Sequence, residues 1–60
     1  MDVKNGDIFK HSSDGTDFVV KKIVKEMAVL ESQGGRRQIL TELNTLKLKS
    51  FYLKKENKDP

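Results

Sequence analysis

FVVKKIVKEMAVLE, residues 18–31, is the densest apolar and β-branched run in a chain of 60 residues, and whether it forms one helix or two strands decides the fold. Val20, Ile23, Val24, Met27 and Leu30 fall at the three- and four-residue spacings of an amphipathic helix. Against the helix stand the β-branched Val19, Val20, Ile23, Val24 and Val29. Such side chains lose rotamer freedom in a helix and pack well on a pleated surface. The run also has the length of two strands of about five to seven residues joined by a tight polar turn at Lys25-Glu26. We read it as two strands. The apolar pairs Val19-Val20 and Ile23-Val24 interrupt the alternation within the halves, and a bulge near Lys21-Lys22, or burial on both faces, accommodates them. Val20, Ile23, Val29 and a facing Ile39 are the expected core.

Working outward, Gly6-Asp7 punctuates the chain before Ile8 to His11, a first strand with Ile8 and Phe9 on opposite faces. Ser12 to Asp17 is a cluster of turn formers containing Asp-Gly, hence a loop. On the other side, Gln33-Gly34-Gly35-Arg36 is a hairpin connection, since paired glycines take positive φ at no steric cost. Arg37 to Thr41 then returns along Met27 to Glu31. Leu43 and Leu46, three apart, suit one turn of 3-10 helix over residues 42–46. Residues 46–53 alternate well enough for a last strand. The competing reading is a helix from Thr41 to Lys55 with Leu43, Leu46, Ser50 and Leu53 on one face, which makes the fold α+β. Residues 54–60, KKENKDP, contain no apolar side chain and read as a disordered tail. The expectation is thus all-β: one small five-stranded barrel over residues 1–53, with a tail from 54.

Composition bounds the function. A chain this short buries only about 60% of the surface its unfolded form exposes and has no room for a deep pocket, so no small-molecule substrate is evident. With no cysteine and a single histidine, neither a disulfide framework nor a cysteine zinc site is possible. The start, MDVKNGDIF, lacks the basic and apolar segments of a secretory signal. No apolar run approaches the roughly 18–20 residues of a membrane span, and a cytoplasmic setting is expected. The net charge of +3 is a mild excess.

Gly6-Asp7-Ile8 opening a strand, Phe18-Val19-Val20 in the second and Gly34-Gly35 in the distal hairpin resemble the small barrels of the Src-homology type. That superfold includes Tudor and KOW domains and short bacterial proteins built on the same barrel. The resemblance, over residues 5–52, implies strand, loop, two central strands, hairpin, strand, 3-10 turn and final strand. The departures narrow what it implies about function. Proline-rich ligands need an aromatic-lined groove, and the chain has no tryptophan and one tyrosine. An aromatic cage for methylated side chains could be drawn from Phe9, Phe18, Phe51 and Tyr52 only if several left the core. The glycine pattern of KOW domains is missing.

Among residue types that carry chemistry, His11 beside Ser12, Ser13 and Asp14 is the one near-neutral base. Neighbours in sequence rarely converge as a triad, however. His11 reads as a solvated strand end, and no enzyme, catalytic residue or cofactor is expected. Asp7, Asp14 and Asp17 lack the order of a calcium loop and read as turn formers, so no metal is expected. Two surfaces remain. Lys21, Lys22, Arg36, Arg37, Lys47 and Lys49 are candidate contacts to nucleic acid, and if the last strand lies beside the first, as the resemblance to small barrels implies, Lys10, Lys47 and Lys49 form one stripe. Phe51, Tyr52 and Leu53 are more apolar surface than a small barrel needs, and a surplus there marks a partner surface or a homodimer seam. The expected function is a non-enzymatic interaction module that binds a protein partner or itself, with nucleic-acid binding through the basic face as the alternative.

Overall fold

The computed structural model describes residues 3–55. Five antiparallel strands, β1 (Ile8–His11), β2 (Asp17–Val24), β3 (Met27–Ser32), β4 (Gln38–Glu42) and β5 (Tyr52–Lys55), form one sheet in the order β4-β3-β2-β1-β5. One helical turn, α1 (Leu43–Leu46), precedes the last strand. The sheet curls into a half-barrel, compatible with a small barrel fold. The α+β alternative does not form, because helix over residues 41–55 is confined to α1. No helix among the described residues is long and apolar enough to cross a membrane.

The central run is two strands because a bulge reconciles its spacing with a pleat. Val20 pairs with Leu30 and the next pair is Lys22 with Val29, which leaves Lys21 as the extra residue. That insertion returns Ile23 to the inner face three positions after Val20, where it packs against the core. The helix-like interval is the trace of the bulge. A second irregularity meets Val20 from β1: the Gly6 N–H donates to the Val20 carbonyl and the Val20 N–H to the Asp7 carbonyl, both at 2.8 Å. Two residues there oppose one, with Gly6 at φ 91°, the pattern of a glycine bulge. Bulges sharpen local twist, so two at one point bend the sheet around Val20. The turn at Lys25-Glu26 lies where expected, with Lys25 at φ 56°.

The core is Phe9, Phe18, Val20, Ala28, Leu30, Leu46 and Tyr52, with Val3, Ile23, Ile39 and Leu43 packed against it. Ile39 faces Leu30, and Val29 stands on the outer face between Lys22 and Leu40. The expectation of Val29 in the core fails because Ala28 and Leu30 take the inner positions of β3. β4 starts at Gln38, one residue later than expected, since the Ser32 hydroxyl accepts the Arg37 N–H at 3.0 Å inside the connection.

The expected 3-10 turn is an α turn that tightens at its end: Lys47 and Leu48 donate to the carbonyls of Asn44 and Thr45, three residues back. Its buried residue, Leu46, closes the core. A last strand over residues 46–53 is therefore wrong at its start. Leu46 is in α1, and the N–H groups of Phe51 and Tyr52 both turn back to the Leu48 carbonyl, at 3.0 and 2.9 Å. The strand also runs further than expected, for Lys54 and Lys55 pair with Phe9 and Ile8. Their ammonium groups sit 3.5 Å from Asp7 and 3.1 Å from Asp17, which gives them a place in the sheet. Residues 56–60 of the expected tail lie outside the described residues. β5 does close beside β1 as expected.

Candidate functional site

β5 is paired to β1 with His11 opposite Tyr52 and Lys10 opposite Leu53. Alternation sends Tyr52 inward and its neighbours outward. Tyr52 is buried, edge-on to Phe9 at 6.5 Å and to His11 at 5.1 Å. Burial, and secondarily the charge of Asp14, pushes its phenol above the ordinary value. Of the expected partner surface Phe51-Tyr52-Leu53, Tyr52 therefore belongs to the core, where its ring packs edge-on against Phe9 and His11. Phe51 is 51% exposed and Leu53 46%, and Leu48, which the sequence reading did not include, is 49% exposed.

The segment carrying these side chains is anchored by its backbone. The Ser12 N–H donates to the Phe51 carbonyl at 2.8 Å, and the Ser12 hydroxyl to the Lys49 carbonyl at 3.1 Å. Together with the bonds to the Leu48 carbonyl, these hold residues 48–52 against the start of the β1–β2 loop. Three large apolar side chains within six residues are thus presented outward by a fixed backbone. Lys47 and Lys49 flank Leu48 in sequence, and Lys10 stands beside Leu53 in register. None of these three lysines has an ion-pair partner among the described residues.

The six basic candidates are dispersed. Lys21 occupies the β2 bulge, 3.6 Å from a Glu31 carboxylate oxygen. Lys22 lies on the outer face opposite Val29. Arg36 is exposed in the β3–β4 connection. Arg37 turns away from it: its guanidinium lies 5.4 Å over the Phe18 ring and 3.8 Å from Asp14, capping one end of the core with a cation–π contact worth about 0.5–1 kcal/mol. Lys47 and Lys49 are in the α1–β5 connection, so the expected stripe with Lys10 across paired strands does not form. The strand neighbours of Lys10 are Asp17 and Leu53.

His11 is half-buried between Phe18 and Tyr52 rather than solvated. Its Nδ1 lies 2.8 Å from the Ser13 hydroxyl and 3.5 Å from Asp14. A relay needs the hydroxyl on one ring nitrogen and the carboxylate on the other, whereas here both approach Nδ1. Asp14 accepts the Thr16 N–H at 2.9 Å. That bond, together with the Thr16 hydroxyl, holds its carboxyl below the usual range, as in a turn former. Among the described residues no three His, Asp or Glu side chains converge as a metal site.

Compared with protein-family models, with curated proteins and with solved structures, the chain matches none.

Proposed function

We propose that this chain is a non-enzymatic interaction module of the cytoplasm that binds a protein partner through Leu48, Phe51 and Leu53. The observation that carries the reading is the half-exposure of these three large apolar side chains on a backbone held by Ser12. Exposed apolar side chains gathered on a rigid segment are what an interface core is built from, and an aromatic ring is its usual anchor. Lys47 and Lys49 supply a cationic rim, and neither has an ion-pair partner among the described residues. The partner that complements both features is an acidic amphipathic segment.

The test is a chemical-shift map of the isotopically labelled domain. A peptide rich in Glu, Leu and Phe should move the amides of residues 47–53 and Lys10, and Phe51→Ala should weaken binding about tenfold or more. Short single-stranded and duplex oligonucleotides form the second arm. Shifts confined to Lys21, Lys22, Arg36 and Arg37, with affinity falling steeply as salt rises, would overturn the proposal in favour of a nucleic-acid surface.

A further inference from the structure

The sheet ends in two outer strands, β4 and β5, and they are guarded unequally. β5 is four residues long and carries Lys54 and Lys55. Such charges discourage another chain from adding to an edge. β4, reading Gln38-Ile39-Leu40-Thr41-Glu42, has no lysine, no proline and no bulge. At its centre Leu40 is 66% exposed, more than any other large apolar side chain among the described residues.

The backbone groups on that edge can be assigned. Ser32 N–H donates to the Arg37 carbonyl and Leu43 N–H to the Glu26 carbonyl, both at 2.8 Å. These two bonds bracket the β3–β4 ladder, whose register runs from Met27–Glu42 to Glu31–Gln38. Bonded and non-bonded pairs alternate in an antiparallel ladder, so Ile39 and Thr41 turn their N–H and C=O groups toward β3. Gln38, Leu40 and Glu42 turn theirs to the open edge. The same three residues project their side chains onto the outer face, where Leu40 neighbours Val29 and lies near Met27 and the half-exposed Val24.

We propose that the open edge of β4 pairs with β4 of a second copy of this chain, antiparallel about a two-fold axis at Leu40. The strand is self-complementary in that register. Leu40 meets Leu40, and Gln38 meets the second copy's Glu42, an amide against a carboxylate rather than charge against like charge. Every residue whose backbone groups face the edge becomes one of a bonded pair, and the two inner faces fall on the same side of a continuous sheet. A one-residue slip opposes outward-bonding residues to inward-bonding ones and reverses the faces, so the register is specified by the backbone as well as by Leu40. The contact is isologous and closes as a dimer, and it joins the two Leu40–Val29 patches into one. It uses a surface separate from Leu48, Phe51 and Leu53.

Sedimentation over a concentration series reaching the millimolar range tests it, alongside amide exchange. The expected result is a monomer–dimer equilibrium in which the Gln38, Leu40 and Glu42 amides gain protection as concentration rises, while Ile39 and Thr41 are protected throughout. Leu40→Lys sets two ammonium groups at the axis, and Leu40→Pro removes an N–H that the monomer leaves free. Each should weaken the dimer about tenfold or more, whereas Phe51→Ala should not. Should Leu40→Pro lose its circular-dichroism signature, Leu40→Lys and the exchange pattern carry the test. A chain that stays monomeric throughout, or a dimer indifferent to Leu40→Lys and showing no added protection at these amides, overturns the proposal.

Discussion

Replacing Tyr52 by alanine should remove much of the stability of this domain, whereas the same change one residue earlier, at Phe51, should leave it folded. Tyr52 is 6% exposed and makes edge-on contacts with Phe9 and His11. Truncating a buried aromatic ring to alanine costs about 3–5 kcal/mol, the removed surface and the cavity together. At about 0.05–0.15 kcal/mol per residue, a domain of 60 residues has roughly 3–9 kcal/mol in all. The expected loss is therefore about 4 kcal/mol, close to half of the total or more. Phe51 is half exposed, so only about half of the roughly 1.5–3 kcal/mol that full burial of such a ring supplies is at stake, on the order of 1 kcal/mol. Urea unfolding followed by circular dichroism measures both, compared at a common m value. Equal losses at the two positions, or a loss at Tyr52 below about 1 kcal/mol, would refute the alternation that puts residue 52 inside β5 and its neighbours outside.

Deleting Lys21 should be tolerated at a cost of about 1 kcal/mol, because Lys22 then follows Val20 outward and Ile23 stays inward. Deleting Val29 from unbulged β3 should unfold the chain by turning Leu30 out, and an amide fingerprint spectrum of each variant distinguishes them. Stability should also fall at both ends of the pH range. The Asp14 carboxyl is held below its ordinary 3.8, so its contribution is present above that value and is lost as pH drops through the lowered one. The Tyr52 phenol is raised above 10.0, so its contribution is full below that value and is lost as pH climbs through the raised one. Melting temperature against pH should show both limbs, with Asp14→Asn flattening the acid one and Tyr52→Phe the alkaline one.

The strands and their order were legible because turn chemistry and β-branching are local. Gly6-Asp7, Asp14-Gly15 and Gly34-Gly35 mark turns by what their backbones tolerate, and all three glycine sites adopt positive φ. The Lys25-Glu26 turn could be inferred only from strand length, since it puts a non-glycine residue at φ 56° where a glycine is usual. Over residues 46–53 the sequence pattern misleads, because Leu46, Leu48 and Tyr52 satisfy a period of two. The backbone instead folds back on the Leu48 carbonyl, and no side-chain pattern announces that bond. The same error made Phe51, Tyr52 and Leu53 look like one surface and hid Leu48. On the basic candidates the sequence could count charges but not their neighbours. The pairing of Arg37 with Asp14, and of Lys21 with Glu31, joins residues that only the sheet and its loops bring together.

Those pairings also redistribute the excess of positive charge. On the sheet, acids and bases interleave: Asp17 stands opposite Lys10 and 3.1 Å from the Lys55 ammonium, Glu31 answers Lys21, and Asp7 answers Lys54. Exposed pairs of this kind contribute about 0–1 kcal/mol each to stability, but they weaken the positive field over the strands. Among the described residues the cations without an ion-pair partner are Lys4, Lys25, Arg36, Lys47 and Lys49 outside the strands, and Lys10 and Lys22 on them. A phosphate backbone laid along the sheet meets the carboxylates of Asp17 and Glu31 as well as its lysines. A short acidic segment docking at the α1–β5 connection meets Lys47 and Lys49 together, with Leu48 and Phe51 among them. In the proposed complex a charged rim would act mainly on the rate of encounter and the apolar centre on the lifetime, dividing the work of recognition between them. Neutralising Lys47 and Lys49 should accordingly slow association, and truncating Phe51 should hasten release.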